Sequence, residues 1–309
     1  MIKKIQDILL KEASASSISK VELIQELWSG YGQLNRVYFD QTSLIIKLIQ
    51  FPTIQDHPRG WNSDFSHIRK EKSYDVERNF YKFYNEAIEN SYIPKYVISG
   101  EVDSQHYLIL EDLLTKNFTP KVSITWEEVQ LCLKWLANFH AKYLGVEPEH
   151  LWKIGTYWHL ETRPDELAIL DDLELKQAAP LIDQKLNSAK HQTLVHGDAK
   201  LANFLFNDHE VAAVDFQYVG GGVGIKDVAY FLSSIYDEDQ LQHHESECLD
   251  YYFSELMKIT QNQELEIEWR ELYPYAWSDF YRFLKGWSPG HWKIHSYSEL
   301  MKERVLKCL

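Results

Sequence analysis

Apolar positions in residues 1–27 fall at helical spacing: Ile5, Ile8 and Leu9, then Val21, Ile24 and Leu27, interrupted by the serine-rich stretch 14–19. This pattern predicts helix. The period then changes. Residues 30–39 read as a turn entering a strand, and Ser43-Leu44-Ile45-Ile46-Lys47-Leu48-Ile49 as a second strand. Residues 51–72 are polar, contain Pro52, Pro58 and Gly60, and predict a long loop. Over 75–90, Val76, Phe80, Phe83, Tyr84 and Ala87 line one side of a helix. Strands follow around 96–98 and 106–110.

Beyond Glu111-Asp112-Leu113 the pattern becomes mainly helical. Thr125-Trp126-Glu127-Glu128 has the form of a capping box, Val129, Leu133, Leu136, His140 and Tyr143 recur at helical spacing, and Gly145 stands near the expected end. Further helices are expected around 165–189, 225–236, 240–260, 268–285 and 296–307. One short hairpin interrupts this part: Phe204-Leu205-Phe206, a polar turn over 207–210, then Val211-Ala212-Ala213-Val214. The order, β-rich first and helical second, predicts an α+β chain with a small lobe over 1–112 and a larger one over 113–309.

The hairpin carries the candidate chemistry. It is entered through His196-Gly197-Asp198-Ala199-Lys200-Leu201-Ala202-Asn203 and left through Asp215-Phe216-Gln217. An aspartate, an asparagine five residues on and a second aspartate brought back by a tight reversal suit ATP-dependent phosphoryl transfer. Asp198 is the candidate base that orients an attacking hydroxyl. Asn203 and Asp215 are hard oxygen donors for magnesium. Lys200 is either a cation for the transferring phosphoryl group or an exposed loop lysine. His196 is expected to brace the loop. Asp227, where a later helix begins, either caps it or accepts bonds from the loop's amides. His140, on an apolar helix face, reads as a core histidine.

Lys47 interrupts an apolar strand, where a charge is costly unless paired. Glu77 on the next helix is the expected partner, with Glu71 and Glu86 as alternatives. A strand lysine paired with a helix glutamate positions nucleotide phosphates in kinase sites. Gly30 and Gly32 form either a loop over those phosphates or an ordinary two-glycine turn.

The 309 residues carry 45% hydrophobic and 25% charged side chains and a formal net charge of −14. Such acidity disfavours nucleic acid as a partner and suits a cationic acceptor, or serves solubility alone. No apolar run is long enough for a bilayer, so no membrane partner is expected. Acidic and polar residues near Met1 come too early for a secretory segment, and Cys132, Cys248 and Cys308 have no paired spacing. A cytoplasmic protein is the expectation. Tyr273, Trp277, Asp279, Trp287 and Trp292 are candidates for lining an acceptor pocket, or for packing.

These segments resemble the aminoglycoside phosphotransferase and choline kinase superfamily, particularly its ecdysteroid-kinase-like branch. The resemblance rests on His196-Gly197-Asp198 with Asn203, Val214-Asp215-Phe216-Gln217, Asp227-Val228-Ala229-Tyr230-Phe231-Leu232 and Leu108-Ile109-Leu110-Glu111-Asp112-Leu113. Leu136-Ala137-Asn138-Phe139-His140-Ala141 and Glu77-Arg78-Asn79-Phe80-Tyr81 extend it. It implies a protein-kinase-like bilobal fold with ATP between the lobes, adenine read by backbone groups of Glu111 through Leu113, Asp198 as base, Asn203 and Asp215 on Mg2+, and Lys47 with Glu77 on the phosphates. The implied acceptor is a small-molecule hydroxyl: an aminoglycoside, a choline-like or a sterol-like alcohol. The alternatives are a protein kinase, against which the short stretch after Gln217 argues, and a catalytically silent ATP-binding module.

Overall fold

A computed structural model describes residues 1–27, 30–51, 64–84, 86, 88 and 90–309. The chain divides into two compact units, Met1–Glu86 with Ile93–Thr119, and Ala87–Tyr92 with Pro120–Leu309. The first is built on β1 (Lys20–Glu26), β2 (Gly32–Tyr38), β3 (Ser43–Ile49), β4 (Tyr96–Val102) and β5 (Gln105–Glu111), an antiparallel sheet in the order β1-β2-β3-β5-β4. Helix α1 (Lys3–Glu12) buries Ile5 and Leu9 against one sheet face, where Val37, Phe39, Ile46, Leu48, Tyr107 and Ile109 meet them. Because strand side chains alternate, Lys47 leaves the face that Ile46 and Leu48 share. It meets helix α2 (Asp64–Phe83), whose buried Ser73, Tyr74, Val76, Glu77, Phe80 and Tyr81 recur at helical spacing.

Two local expectations are corrected here. Residues 20–26 form a strand, not a helix. β1 is an edge strand, exposed on both faces except at Glu22, and a register shift between Leu23 and Gln25 breaks its alternation. Helix α2 starts well before residue 75, so part of the expected loop is helical. Residues 52–63 of that loop lie outside the described residues. Gly32 is fixed by β2–β3 pairing: φ is +136°, and a Cβ there would stand 1.9 Å from the Leu48 carbonyl oxygen.

A two-residue strand, β6 (Thr119–Pro120), marks the passage between units. The second unit then runs through α3 (Trp126–Lys142), α4 (Pro164–Ala168), α5 (Leu173–Asn187), β7 (Thr193–Val195), β8 (Phe204–Phe206), β9 (Val211–Ala213), β10 (Gly220–Gly222), α6 (Ile225–Ile235), α7 (Glu238–Thr260), α8 (Gln263–Trp287) and α9 (Ser296–Leu306). The capping box opens α3 as expected: Thr125 Oγ1 accepts from the Glu128 amide, and the Glu128 carboxylate accepts from the Thr125 amide. The expected helix over 165–189 is two helices, α4 and α5. Asp172 caps α5 by accepting the Leu175 amide, and also takes Lys285 of α8 at 2.8 Å and Lys302 of α9 at 2.9 Å.

Trp158, Tyr230, Phe280, Phe283 and Leu284 form a buried aromatic cluster among α6, α8 and the segment after Trp152. Tyr273 and Trp277 belong to the packed interior too: Tyr273 meets the Tyr297 hydroxyl, and Trp277 donates to Ser298 Oγ. Asp279 is equally closed off. It pairs with Lys226 at 3.3 Å and Arg282 at 2.6 Å, and accepts from Trp158 Nε1 at 3.0 Å. These three candidates for an acceptor pocket are therefore packing and ion-pair residues. Trp287 stacks partly buried on Phe283, while Trp292 is 57% exposed. Among the described residues no helix is long and apolar enough to cross a membrane.

Candidate active site

The second unit's candidate residues gather around one hairpin. β8 and β9 pair in the register Phe204 with Ala213, Leu205 with Ala212 and Phe206 with Val211. Asn207 Oδ1 closes the turn by accepting the amides of His209 and Glu210 at 2.9 and 2.8 Å. The Val214 amide donates to the Asn203 carbonyl at 3.0 Å, so the chain leaves the hairpin for Asp215 beside the place where Asn203 entered it. Asp215 has φ +68°, the left-handed region that non-glycine residues occupy mostly where a site demands it.

Asp198 is buried, 6% exposed, at the head of this loop. Its Oδ2 accepts from Lys200 Nζ at 2.9 Å and from Asn203 Nδ2 at 3.0 Å. Asn203 Nδ2 also donates to the Asp198 carbonyl, so both amide hydrogens point at Asp198 and its oxygen is turned away from it. Among the described residues, Asp198 Oδ1 is buried with no partner in hydrogen-bonding geometry. The hydroxyls of Tyr157 and Tyr230 are near enough to feel its charge, and burial pushes both phenols upward. Burial also raises the Asp198 carboxyl. Lys200 opposes that rise and the neighbouring Asp215 charge adds to it. Burial alone would lower the Lys200 ammonium, but the charges of Asp198 and Asp215 hold it above its ordinary value.

The loop is held from below. Asp227, on the first turn of α6, accepts the His196 amide at 2.5 Å and the Gly197 amide at 2.9 Å. Of the two readings of Asp227, loop support is the one observed. His140 Nε2 stands 3.1 Å from the same carboxylate, and its Nδ1 meets the Tyr252 hydroxyl at 2.8 Å, so His140 is core. His196 Nδ1 accepts the Asp198 amide, which leaves Nε2 to donate to the Val214 carbonyl at 3.0 Å. Burial lowers its pKa and keeps the ring neutral. His196 thus ties the loop before Asp198 to the strand end before Asp215. Gly197 has φ +79°, and a Cβ there would lie 2.1 Å from the Tyr218 carbonyl oxygen. Phe216 packs on His196, Trp135 and Phe139, which fixes the segment around Asp215.

In the first unit, Lys47 Nζ donates to Glu77 Oε2 at 2.6 Å, with both side chains buried. Glu77 is therefore the partner observed among the glutamates considered. Asp112 accepts from Arg36 Nε at 2.7 Å and Ser43 Oγ at 2.5 Å and caps the following turn through the Leu114 amide. That anchors the end of β5, where Glu111 pairs with Leu44, and the turn that Leu113 opens. Gly30, φ +74°, donates its amide to the Leu27 carbonyl at the β1–β2 connection. The intervening residues 28–29 lie outside the described residues.

A profile of the Ecdysteroid kinase-like family matches residues 41–150 and 170–265. The chain belongs to this family. It is accordingly an ATP-dependent small-molecule phosphotransferase, an enzyme of the protein-kinase-like fold with a β-rich N-terminal region and a mainly helical C-terminal one. No curated protein sequence matches it significantly. Among solved structures it is similar to a microcompartment-associated aminopropanol kinase, with 13% identity over 98% of each chain and a TM-score of 0.55. An amicoumacin kinase in complex with AMP-PNP and Ca2+ gives 14% identity over 99% of this chain and 95% of that one, with a TM-score of 0.56. The aminoglycoside phosphotransferase APH(4)-Ia with ADP and hygromycin B gives 10%, 99% and 98%, with a TM-score of 0.54.

Proposed function

We propose that Asp198 is the general base of this phosphotransferase, orienting a hydroxyl of a small-molecule acceptor for attack on the γ-phosphate of ATP. One observation carries the reading. A buried carboxylate has one oxygen committed to Lys200 and Asn203, while the other, among the described residues, has no partner in good hydrogen-bonding geometry and only the Tyr230 hydroxyl close to the carboxylate. A hydroxyl donating to Oδ1 would satisfy that oxygen, and the raised pKa makes Asp198 a better proton acceptor than an exposed aspartate. Lys200 offsets the carboxylate before reaction and is placed to meet charge on the transferring group.

Asn203 and Asp215 would hold magnesium. Among the described residues no cluster of three or more His, Cys, Asp and Glu side chains forms a self-sufficient metal site. The donor set here is a carboxamide oxygen and a carboxylate, which suits an ion that keeps waters and phosphate oxygens around it. The chemistry magnesium supplies when bound is neutralisation of phosphate charge. In the first unit, Lys47, held by Glu77, would contact the α- and β-phosphates, and the backbone of Glu111 through Leu113 would read adenine. Gly30 remains in the proposal as a phosphate-loop residue. Gly32 has its own structural reason to be glycine.

The acceptor belongs to the alcohols. The solved neighbours named for aminopropanol, amicoumacin and hygromycin B support small polar acceptors over proteins. A screen of amino alcohols, aminoglycosides and sterol-like alcohols for acceptor-dependent ADP release tests this. Turnover of at least one class supports the reading, and magnesium–ATP binding with no turnover on any class would contradict it.

A further inference from the structure

Buried and half-buried lysines of α6, α8 and α9 are matched with carboxylates. Lys226 pairs with Asp279, Lys285 with Asp172, and Lys302 with Asp172 and Glu299. Lys293, in the segment joining α8 to α9, is different. Its ammonium lies over the rings of Tyr230, Phe280 and Trp292 at 5.2, 5.6 and 5.5 Å and, among the described residues, hydrogen-bonds only the Ser233 hydroxyl, at 3.4 Å. Among the described residues no carboxylate stands within 4.0 Å of it. Yet it lies close enough to the catalytic loop that the charges of Asp198 and Lys200 both act on it.

A largely desolvated cation, ringed by aromatic faces and within reach of the candidate base's charge, lacks the anionic oxygen its neighbours have. We infer that Lys293 is a specificity-determining residue of the acceptor site, taking an anionic or strongly accepting oxygen group that the acceptor carries near its reacting hydroxyl and disfavouring a cationic group there. The inference rests on Asp198 being the base and narrows the acceptor class that follows from it. It reverses the expectation from net charge. The surface of the chain is acidic, but the point where an acceptor would be read is cationic. Aromatic faces alone would welcome a quaternary ammonium, whereas the same faces already shared with an ammonium do not.

Burial draws the Lys293 ammonium down to about 8, with Asp198 resisting and Lys200 assisting. It is therefore mostly charged at pH 7 and loses its charge through mildly alkaline pH. Of the other groups around it, Lys200 and Tyr230 are shifted upward and His295 is shifted downward by burial, so they titrate outside that window. Asp198 is present in wild type and variant alike.

The test uses three small branched alcohols of similar size, choline, its neutral isostere 3,3-dimethylbutanol, and the anionic hydroxypivalate, with wild type, Lys293→Met and Lys293→Arg. Acceptor-dependent ADP release gives kcat/KM, and calorimetry without nucleotide gives binding. Wild type is expected to favour hydroxypivalate over choline by at least about tenfold at pH 7. That ratio should fall toward one in Lys293→Met and in wild type at pH 9, and should persist in Lys293→Arg. KM for magnesium–ATP should not change in the Met variant. A ratio unmoved by Lys293→Met, a change confined to the KM for ATP, or tighter binding of choline by wild type would overturn the inference. If hydroxypivalate binds more tightly through Lys293 while Asp198→Asn turns over a screened acceptor at the wild-type rate, the anion preference of Lys293 stands and the base assignment of Asp198 falls.

Discussion

His140 and Asp227, 87 residues apart and both fully buried, stand 3.1 Å from each other, and the Asp227 oxygen in that contact also accepts the His196 amide. The α3 core thus braces the carboxylate that carries the catalytic loop. Asp227 accepts three hydrogen-bonding groups in a dry site, so removing its charge leaves buried donors unmet. Asp227→Ala should cost about 3 kcal/mol or more of stability. Asp227→Asn, which retains the shape, should lower kcat more than it raises KM for ATP. Chemical denaturation and steady-state kinetics read the two effects separately, and an Asn variant with unchanged kcat would remove the positioning role.

Lys47 and Glu77 form a buried pair, and breaking it strands a charge. Lys47→Met or Glu77→Gln alone should destabilise by about 3–5 kcal/mol. The double variant should regain much of that stability, because neither charge is left behind. Affinity for ATP should stay low in every variant lacking Lys47. A denaturant-based double-mutant cycle with nucleotide binding measured alongside checks both halves. Additive single losses would show that the pair is not coupled.

Much of this was legible in the sequence. The hairpin over 204–213 combined two short apolar runs with a polar turn, Asn207-Asp208-His209-Glu210, so the convergence of Asn203 and Asp215 followed from chain geometry. Lys47 stood out because a charge in an apolar strand needs a partner. β1 was not legible. Its outer position removes the burial that would enforce alternation, and the irregularity at Leu23 and Gln25 left Val21, Ile24 and Leu27 at a helix-like spacing. The first turns of α2 were hidden by polar residues such as Lys70 and Lys72. Lys293 gave no signal at all, since its ring partners come from α6, α8 and the adjacent Trp292, and no local spacing marks that convergence.

Gly197 combines a left-handed backbone with a carbonyl where its side chain would be. Gly197→Ala should destabilise by more than about 1–3 kcal/mol, the cost of such a backbone alone, because the contact with Tyr218 adds to it. Gly145, which also has positive φ but open space around it, is the control and should lose less. Equal losses in thermal denaturation would show that the crowding at Gly197 is relieved.

His159 is buried beside Lys226 and Arg282, and burial followed by those cations lowers its pKa to about 4. The folded value lies below the unfolded one, so the unfolded chain binds this proton more readily. Stability from keeping His159 neutral is complete above about pH 6.5 and is lost as pH falls toward 4. The total is about 3 kcal/mol. His159→Gln should flatten the stability profile between pH 6.5 and 4, measured by urea denaturation. A variant with the same acid slope as wild type would assign that slope to other groups.

The central claim is that Asp198 is a base held at a cost to the fold. Its pKa is raised in the folded state, so its ionisation opposes folding above the ordinary aspartate range. Asp198→Asn should therefore keep or raise the melting temperature while retaining magnesium–ATP binding. The decisive measurement is acceptor-dependent ADP release by wild type and Asp198→Asn, with folding and nucleotide affinity checked on the same samples. The account predicts a loss of about a thousandfold or more in kcat with both checks intact; an Asn variant that turns over at the wild-type rate would contradict it.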